Sequence, residues 1–168
     1  MKRRSLLKLG AGAAVLLAIA GGGLALLRPG LVNGKLSPGA RQLMKSVAIA
    51  VLDGLWPAEA AAREAGLQVH LDSLELSIAG FPQQVRKELS QLLTLLTSSA
   101  GRLAIAGLKS DWDQASNDEL LQALQDMRVS SLAARQQIYH ALRDLNNAVF
   151  FADSSHWPLI SYPGPRAL

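Results

Sequence analysis

The side chains best suited to chemistry are three histidines, His70, His140 and His156. They lie far apart in the sequence, and no histidine pair has the short spacing of a metal-binding helix. The chain has no cysteine, which excludes thiolate zinc sites, cysteine-ligated iron–sulfur clusters and covalent haem. Ser154 and Ser155 precede His156, but catalytic pairs are recognised by geometry and are rarely sequence neighbours. The histidines therefore predict no metal site and no nucleophile.

Two carboxylates flank an indole at Asp111, Trp112 and Asp113. This spacing is as compatible with a helix cap or an exposed loop as with acid–base catalysis, and we favour the structural interpretation. The sequence contains no nucleophile elbow, phosphate-binding loop or dinucleotide fingerprint. It thus predicts no catalytic, metal or cofactor-binding residue.

The positive charge is unevenly distributed. The formal net charge of the chain is +4. Residues 1–28 contain five basic residues and no acid, whereas residues 29–168 contain 12 basic and 13 acidic residues. A folded domain that binds nucleic acid concentrates its basic residues on one face. We therefore predict that this protein does not bind nucleic acid.

The N-terminal 28 residues have the pattern of a targeting segment, with a charged start and an uncharged run over residues 9–27. The start resembles a twin-arginine export signal, which implies export of folded cargo to the periplasm by the twin-arginine translocase. The residues that carry this resemblance are Arg3, Arg4, Leu6, Leu7 and Lys8.

Two fates of this segment are open. Ala18-Ile19-Ala20 fits the small-residue pattern before a cleavage site, and we favour cleavage. The alternative is an uncleaved anchor in the inner membrane, since 19 uncharged residues of helix span about 28 Å against a hydrocarbon core of ~30 Å. Residues 29–37 are rich in Pro and Gly, and we expect a linker there.

Residues 38–152 predict an all-α domain, a compact bundle of about five or six helices. Ser37-Pro38 is a helix start, and Leu43 and Val47 begin an apolar stripe with a step of four. We expect the first helix to end at Trp56-Pro57, a short helix to close at Gly66, and another to cover residues 68–79. Further helices are predicted from Pro82, from a capping box at residues 116–119, and over residues 131–151.

Residues 153–168 differ from the bundle, because three prolines there are incompatible with a regular α-helix. We expect an irregular tail rich in aromatic residues, which is suited to docking because proline reduces the cost of ordering it. The candidate partner-binding residues are Trp157, Tyr162, Pro163, Gly164 and Pro165. The alternative is that Trp157 and Tyr162 fold back and close the core of this domain.

Several segments together resemble the gluconate 2-dehydrogenase subunit 3 family, over about residues 37–165. The most specific is the terminal W-x-x-x-x-Y-P-G-P that begins at Trp157. Other segments that carry the resemblance are Glu64-Ala65-Gly66, His70, Asp72, Leu108, residues 112–116, Glu119, Arg135 and Tyr139. Leu55-Trp56-Pro57 departs from the expected Ile-Pro junction, which indicates a shortened loop.

The resemblance implies a non-catalytic accessory subunit that needs no cofactor of its own. Its partner would be a FAD-dependent catalytic subunit that oxidises a sugar or alcohol and is exported while docked to it, and a cytochrome subunit often accepts the electrons in such complexes. Two other hypotheses are open: a stand-alone periplasmic helical binding protein of the cell envelope, and an enzyme that uses His140 or His156.

Overall fold

A computed structural model describes residues 28–165, and these form an all-α bundle preceded by one small hairpin. The export residues Arg3, Arg4, Leu6, Leu7 and Lys8 and the candidate anchor at residues 9–27 lie outside the described residues. The described elements are strands β1 (Leu31–Val32) and β2 (Lys35–Leu36), helices α1 (Pro38–Val51), α2 (Ala60–Ala79), α3 (Gln83–Thr97), α4 (Ser99–Gly101), α5 (Asn117–Arg128) and α6 (Ala133–Phe150), a π-helical turn (Arg102–Ala106) and a 3₁₀-helix (Ser154–Ile160).

The expected linker contains an antiparallel β-hairpin. Asn33 and Gly34 both have positive φ, 52° and 81°, as a tight two-residue hairpin turn requires. The hairpin is attached to α3, because the Gly30 amide donates to Thr94 Oγ1 at 2.8 Å and the Leu31 amide donates to Ser90 Oγ at 3.0 Å. An Asn-Gly pair between apolar residues is the sequence signal that predicts this turn.

Helix α1 begins as predicted, with the Ser37 hydroxyl accepting a hydrogen bond from the Ala40 amide. Leu43 and Val47 are fully buried. The helix ends at Val51, earlier than the expected stop at Trp56-Pro57. The Trp56 indole instead folds back and donates to the Ala48 carbonyl at 3.1 Å, which closes the last turn.

Helix α2 is continuous, so the expected break at Gly66 is wrong. It begins about two turns before the helix predicted over residues 68–79, at a cap where the Glu59 carboxylate accepts from the amides of Ala61 and Ala62. A glycine inside a helix costs only about 1 kcal/mol, and the buried side chains of α2 outweigh this. Gly66 also lies against Trp56, since a Cβ there would be 3.6 Å from the indole.

The remaining helices follow the predicted pattern closely. Leu89, Leu92, Leu93 and Leu96 of α3 are buried. The capping box at the start of α5 is confirmed, because Ser116 and Glu119 each bond the backbone amide of the other. Helix α6 covers most of the predicted span and buries Ile138 and Leu142. No helix within residues 28–165 is both long enough and apolar enough to cross a bilayer.

Trp112 joins the loop between the π-helical turn and α5 to the core. Its ring is buried, its indole N–H donates to the Leu96 carbonyl at 2.8 Å, and its own carbonyl accepts from Ser46 Oγ at 2.6 Å. Asp111 pairs with the buried Arg102 guanidinium. Asp111 therefore has a structural contact, and Asp113 is exposed.

We expect Trp112→Ala to lower the free energy of unfolding by about 3–5 kcal/mol, since it leaves a cavity in the core. Trp112→Phe should cost about 1–3 kcal/mol, because the buried Leu96 carbonyl loses its donor. Urea denaturation followed by circular dichroism measures both. Leu76→Ala, on an exposed position of α2, is the control and should change stability by less than about 0.5 kcal/mol. Equal stability of Trp112→Ala and the control would contradict this role.

Candidate docking site at the C-terminal tail

Phe150, the last residue of α6, is the centre of an aromatic cluster. Its ring is buried and stacks on the His156 imidazole, with centroids 3.9 Å apart and planes 10° apart. The indole of Trp56 meets the Phe150 ring edge-on at 5.2 Å, and the His70 ring lies 6.1 Å away. His70 and His156, which are 86 positions apart in the sequence, thus both contact the Phe150 ring.

His70 is a buried member of this cluster with a fixed hydrogen bond. The Asn146 amide donates to the Leu142 carbonyl at 2.8 Å, which leaves its Oδ1 to accept from His70 Nε2 at 2.9 Å. Burial lowers the pKa of His70, although the hydrogen bond to Asn146 opposes this shift. His70 is therefore held neutral and joins α2 to α6.

His156 attaches the tail to the bundle. Its Nδ1 donates to the Phe150 carbonyl at 2.6 Å, while its ring covers the Phe150 ring. Just before it, the Asp153 carboxylate accepts from the Ser155 amide at 2.8 Å and caps the 3₁₀-helix. This backbone hydrogen bond lowers the pKa of Asp153.

His140 is exposed on α6 and contacts the ring of Tyr139 edge-on. Among the aromatic rings of the described residues, His140 pairs with Tyr139 and not with Phe150. Within residues 28–165 no group of three or more histidine and carboxylate side chains is arranged to hold a metal ion.

Beyond His156 the tail folds on itself around Trp157. The Trp157 indole donates to the Phe151 carbonyl at 2.9 Å, and the Tyr162 amide donates to the Trp157 carbonyl at 3.0 Å. The two aromatic rings are 5.3 Å apart. Gly164 is buried with φ +94°, and a Cβ there would lie 3.2 Å from the indole. The tail is therefore ordered as a small motif, which we call the tail knob (residues 154–165).

The tail is less irregular than expected, because residues 154–160 form a 3₁₀-helix that includes Pro158. Trp157 and Tyr162 pack on each other and do not belong to the main core cluster of the described residues, so the alternative in which they close the core is wrong. The tail residue that folds back onto the bundle is His156. Docking of the tail to a partner stays a prediction.

The tail knob presents apolar surface to solvent. Leu159, Ile160 and Tyr162 are 51%, 49% and 45% exposed, and Pro163 and Pro165 are also exposed. A surface depression beside them is lined by Ser154, Trp157, Pro158, Ser161, Tyr162 and Pro163.

The five predicted partner-binding residues thus divide by position. Trp157 and the buried Gly164 shape the tail knob, while Tyr162, Pro163 and Pro165 face outward. Leu159 and Ile160 were not among the sequence candidates. Two large apolar residues between prolines, in a segment without helical periodicity, are the signal that identifies them.

No family model, curated protein or solved structure matches this chain.

We expect the stability of this protein to fall as the pH decreases below about 6.5, the ordinary pKa of histidine. The unfolded chain binds a proton at His70 there, whereas the folded chain, whose His70 pKa is lowered, does so only at lower pH. Protons therefore favour unfolding. Urea denaturation at about pH 7.5 and about pH 5.5 measures this loss.

The matched variant is His70→Gln, which retains a donor for Asn146 but does not titrate. It should be less stable at neutral pH, because it loses the ring contacts to Trp56 and Phe150. Its loss of stability on acidification should be smaller than in the wild type. An identical loss in both proteins would show that His70 does not cause it.

Proposed function

We propose that this chain is a non-catalytic accessory subunit of a periplasmic or membrane-associated FAD-dependent sugar or alcohol dehydrogenase. In this role it supplies the twin-arginine export signal to a catalytic subunit that lacks one, and it binds that subunit through the tail knob. In the complexes of the family that it resembles, a cytochrome subunit often accepts the electrons, and the proposal leaves open whether one is present here. The single observation that carries the proposal is an ordered tail with large apolar side chains in solvent.

The order of the tail supports a docking role on energetic grounds. Binding is weakened by the entropy lost when interface side chains become fixed. Hydrogen bonds from Trp157 and Tyr162 already fix the tail knob before any partner is present. Leu159 and Ile160 can therefore be buried against a partner at little further cost in conformational entropy.

The composition of the tail knob supports the same role. Interface cores are enriched in aromatic residues and depleted of charge. Residues 154–165 contain a Trp and a Tyr and no acidic, Lys or Arg residue. Such a surface fits the apolar centre of a protein interface better than a site for a charged small molecule.

The docking role predicts that a tagged full-length chain purifies from the periplasm with a large flavoprotein, identified by mass spectrometry and by the absorbance of bound FAD. Truncation after Ser155 should abolish this co-purification and leave the helical circular dichroism intact. Leu159→Asp/Ile160→Asp should also abolish co-purification and leave the helical signal intact, because removing carboxylates from water at the centre of an interface is energetically unfavourable.

The control is Val69→Asp/Leu76→Asp, which places the same charges on exposed apolar residues of α2. It should retain the flavoprotein. Retention of the flavoprotein by the truncated chain would exclude the tail knob as the docking site, and recovery of the chain alone under gentle extraction would contradict the accessory role.

The export role predicts that Arg3→Lys/Arg4→Lys leaves both this chain and its flavoprotein in the cytoplasm, because the twin-arginine route transports the folded complex. Fractionation followed by immunoblotting and FAD absorbance measures this. Periplasmic flavoprotein in the variant would show that the catalytic subunit is exported by another route.

A further inference from the structure

The β-hairpin has one face on the bundle and one in solvent. Leu31 pairs with Leu36 and Val32 pairs with Lys35. Because successive side chains of a strand point to opposite faces, the buried Leu36 places its pair on the bundle side. Val32, 48% exposed, and Lys35 therefore share the outward face.

Arg86 of α3 lies beside the turn of this hairpin. Its Nη1 is 3.9 Å from the position that a Cβ on Gly34 would occupy. Lys87 follows it, and both residues precede Ser90, which binds the hairpin backbone, by one helical turn. Residues at this spacing share a helix face. Arg86 and Lys87 therefore lie on the side of α3 that holds the hairpin, and we call Val32, Lys35, Arg86 and Lys87 the hairpin patch.

Arg86 has an unsatisfied donor. Its Nε is buried and has no hydrogen-bond partner in the described part of the chain. A buried N–H without an acceptor is destabilising, and in native proteins it usually indicates a missing water or ion. An arginine binds phosphate through two parallel hydrogen bonds. Of the Arg86 nitrogens only Nε is both buried and without a partner in the described residues, so an external anion would meet the terminal Nη atoms and not Nε.

The charge of the hairpin patch is not neutralised. Lys35, Arg86 and Lys87 form no ion pair within residues 28–165, whereas other basic residues such as Arg41 and Lys45 do. Glu88 is the acid nearest in sequence, but it lies about 200° around α3 from Arg86. Its carboxylate accepts from Gln84 on the same helix.

We propose that the hairpin patch binds an anionic phospholipid surface, with its three basic residues on headgroup phosphates and Val32 at the level of the headgroups. Basic residues next to an apolar side chain fit such an interface. Arg28, exposed at the start of the described chain, directly follows the uncharged run of residues 9–27. In a chain that keeps this run as an anchor, the hairpin follows the membrane segment directly in sequence, which favours a lipid headgroup over free phosphate as the anion. This proposal is independent of the accessory role.

The absence of cysteine allows a direct test with the full-length chain. Val32→Cys introduces one thiol, and its reaction rate with a water-soluble maleimide reports whether the hairpin patch is covered. We expect slower reaction in vesicles of phosphatidylcholine with phosphatidylglycerol than in pure phosphatidylcholine. Val129→Cys, an exposed site between α5 and α6, is the reference and should react equally in both.

In the Val32→Cys chain, the further substitutions Lys35→Gln/Lys87→Gln should reduce the ratio of membrane-covered to uncovered hairpin by about 30-fold. Each basic residue near an anionic surface strengthens binding about fivefold. Arg63→Gln/Lys109→Gln, which removes the same charge at other exposed sites, should have no effect. Circular dichroism checks that both variants are folded.

Three results would overturn the proposal. Equal protection of the Val32→Cys thiol in both kinds of vesicle would show that the nearby apolar run alone covers the hairpin. If the Val129→Cys thiol were protected by anionic vesicles as much as the Val32→Cys thiol, the protection would not be specific to the hairpin. Loss of the hairpin thiol's protection on adding inorganic phosphate at constant ionic strength would assign the site to a free anion.

Discussion

The Phe150 ring packs against both the helical bundle and the C-terminal tail. One side packs with Trp56 and His70 inside the bundle, and the other is covered by the His156 imidazole of the tail. Because the His156 ring also donates to the Phe150 carbonyl, the direction of the chain is fixed as it leaves α6. The hydrogen bond from the Trp157 indole to the Phe151 carbonyl is a second attachment at the same end of α6. The apolar residues at 159 and 160 are held in solvent because the chain before them is attached to the core.

The two candidate surfaces lie toward opposite ends of α1. The hairpin precedes the first residue of α1, whereas Trp56, which follows its last turn, contacts the Phe150 cluster. A helix of 14 residues is about 21 Å long. A protein with this arrangement can face a membrane with its N-terminal end while its tail binds a second protein. The two proposed contacts therefore use different ends of the same helix.

The sequence predicts most of the fold because most of its signals are local. The Ser37 cap, the capping box at Ser116 and the apolar stripe of α3 each act within one or two turns of helix, and all three are found. The continuity of α2 through Gly66 depends on burial of leucines against other helices and on contact with Trp56. Such tertiary contacts override a weak local preference, and one sequence does not specify them. The Asn33-Gly34 pair is a clear local signal for a hairpin turn, so the expectation of a linker over residues 29–37 was incomplete.

The candidate sites were predicted less completely, for a physical reason. Proline and aromatic content marks residues 153–168 as unusual, but the exposure of Leu159 and Ile160 follows from where Trp157 packs. In the same way, composition does not distinguish arginines that join parts of the bundle from arginines that remain free. Arg102 pairs with Asp111 and Arg135 donates to the Ile105 carbonyl, so both stabilise the π-helical turn. Arg86 has the same side chain, yet its Nη1 lies beside the turn at Gly34, and its buried Nε has no acceptor among the residues that the structure describes. The environment of each guanidinium, which only the fold provides, decides whether it stabilises the bundle or is available to a ligand.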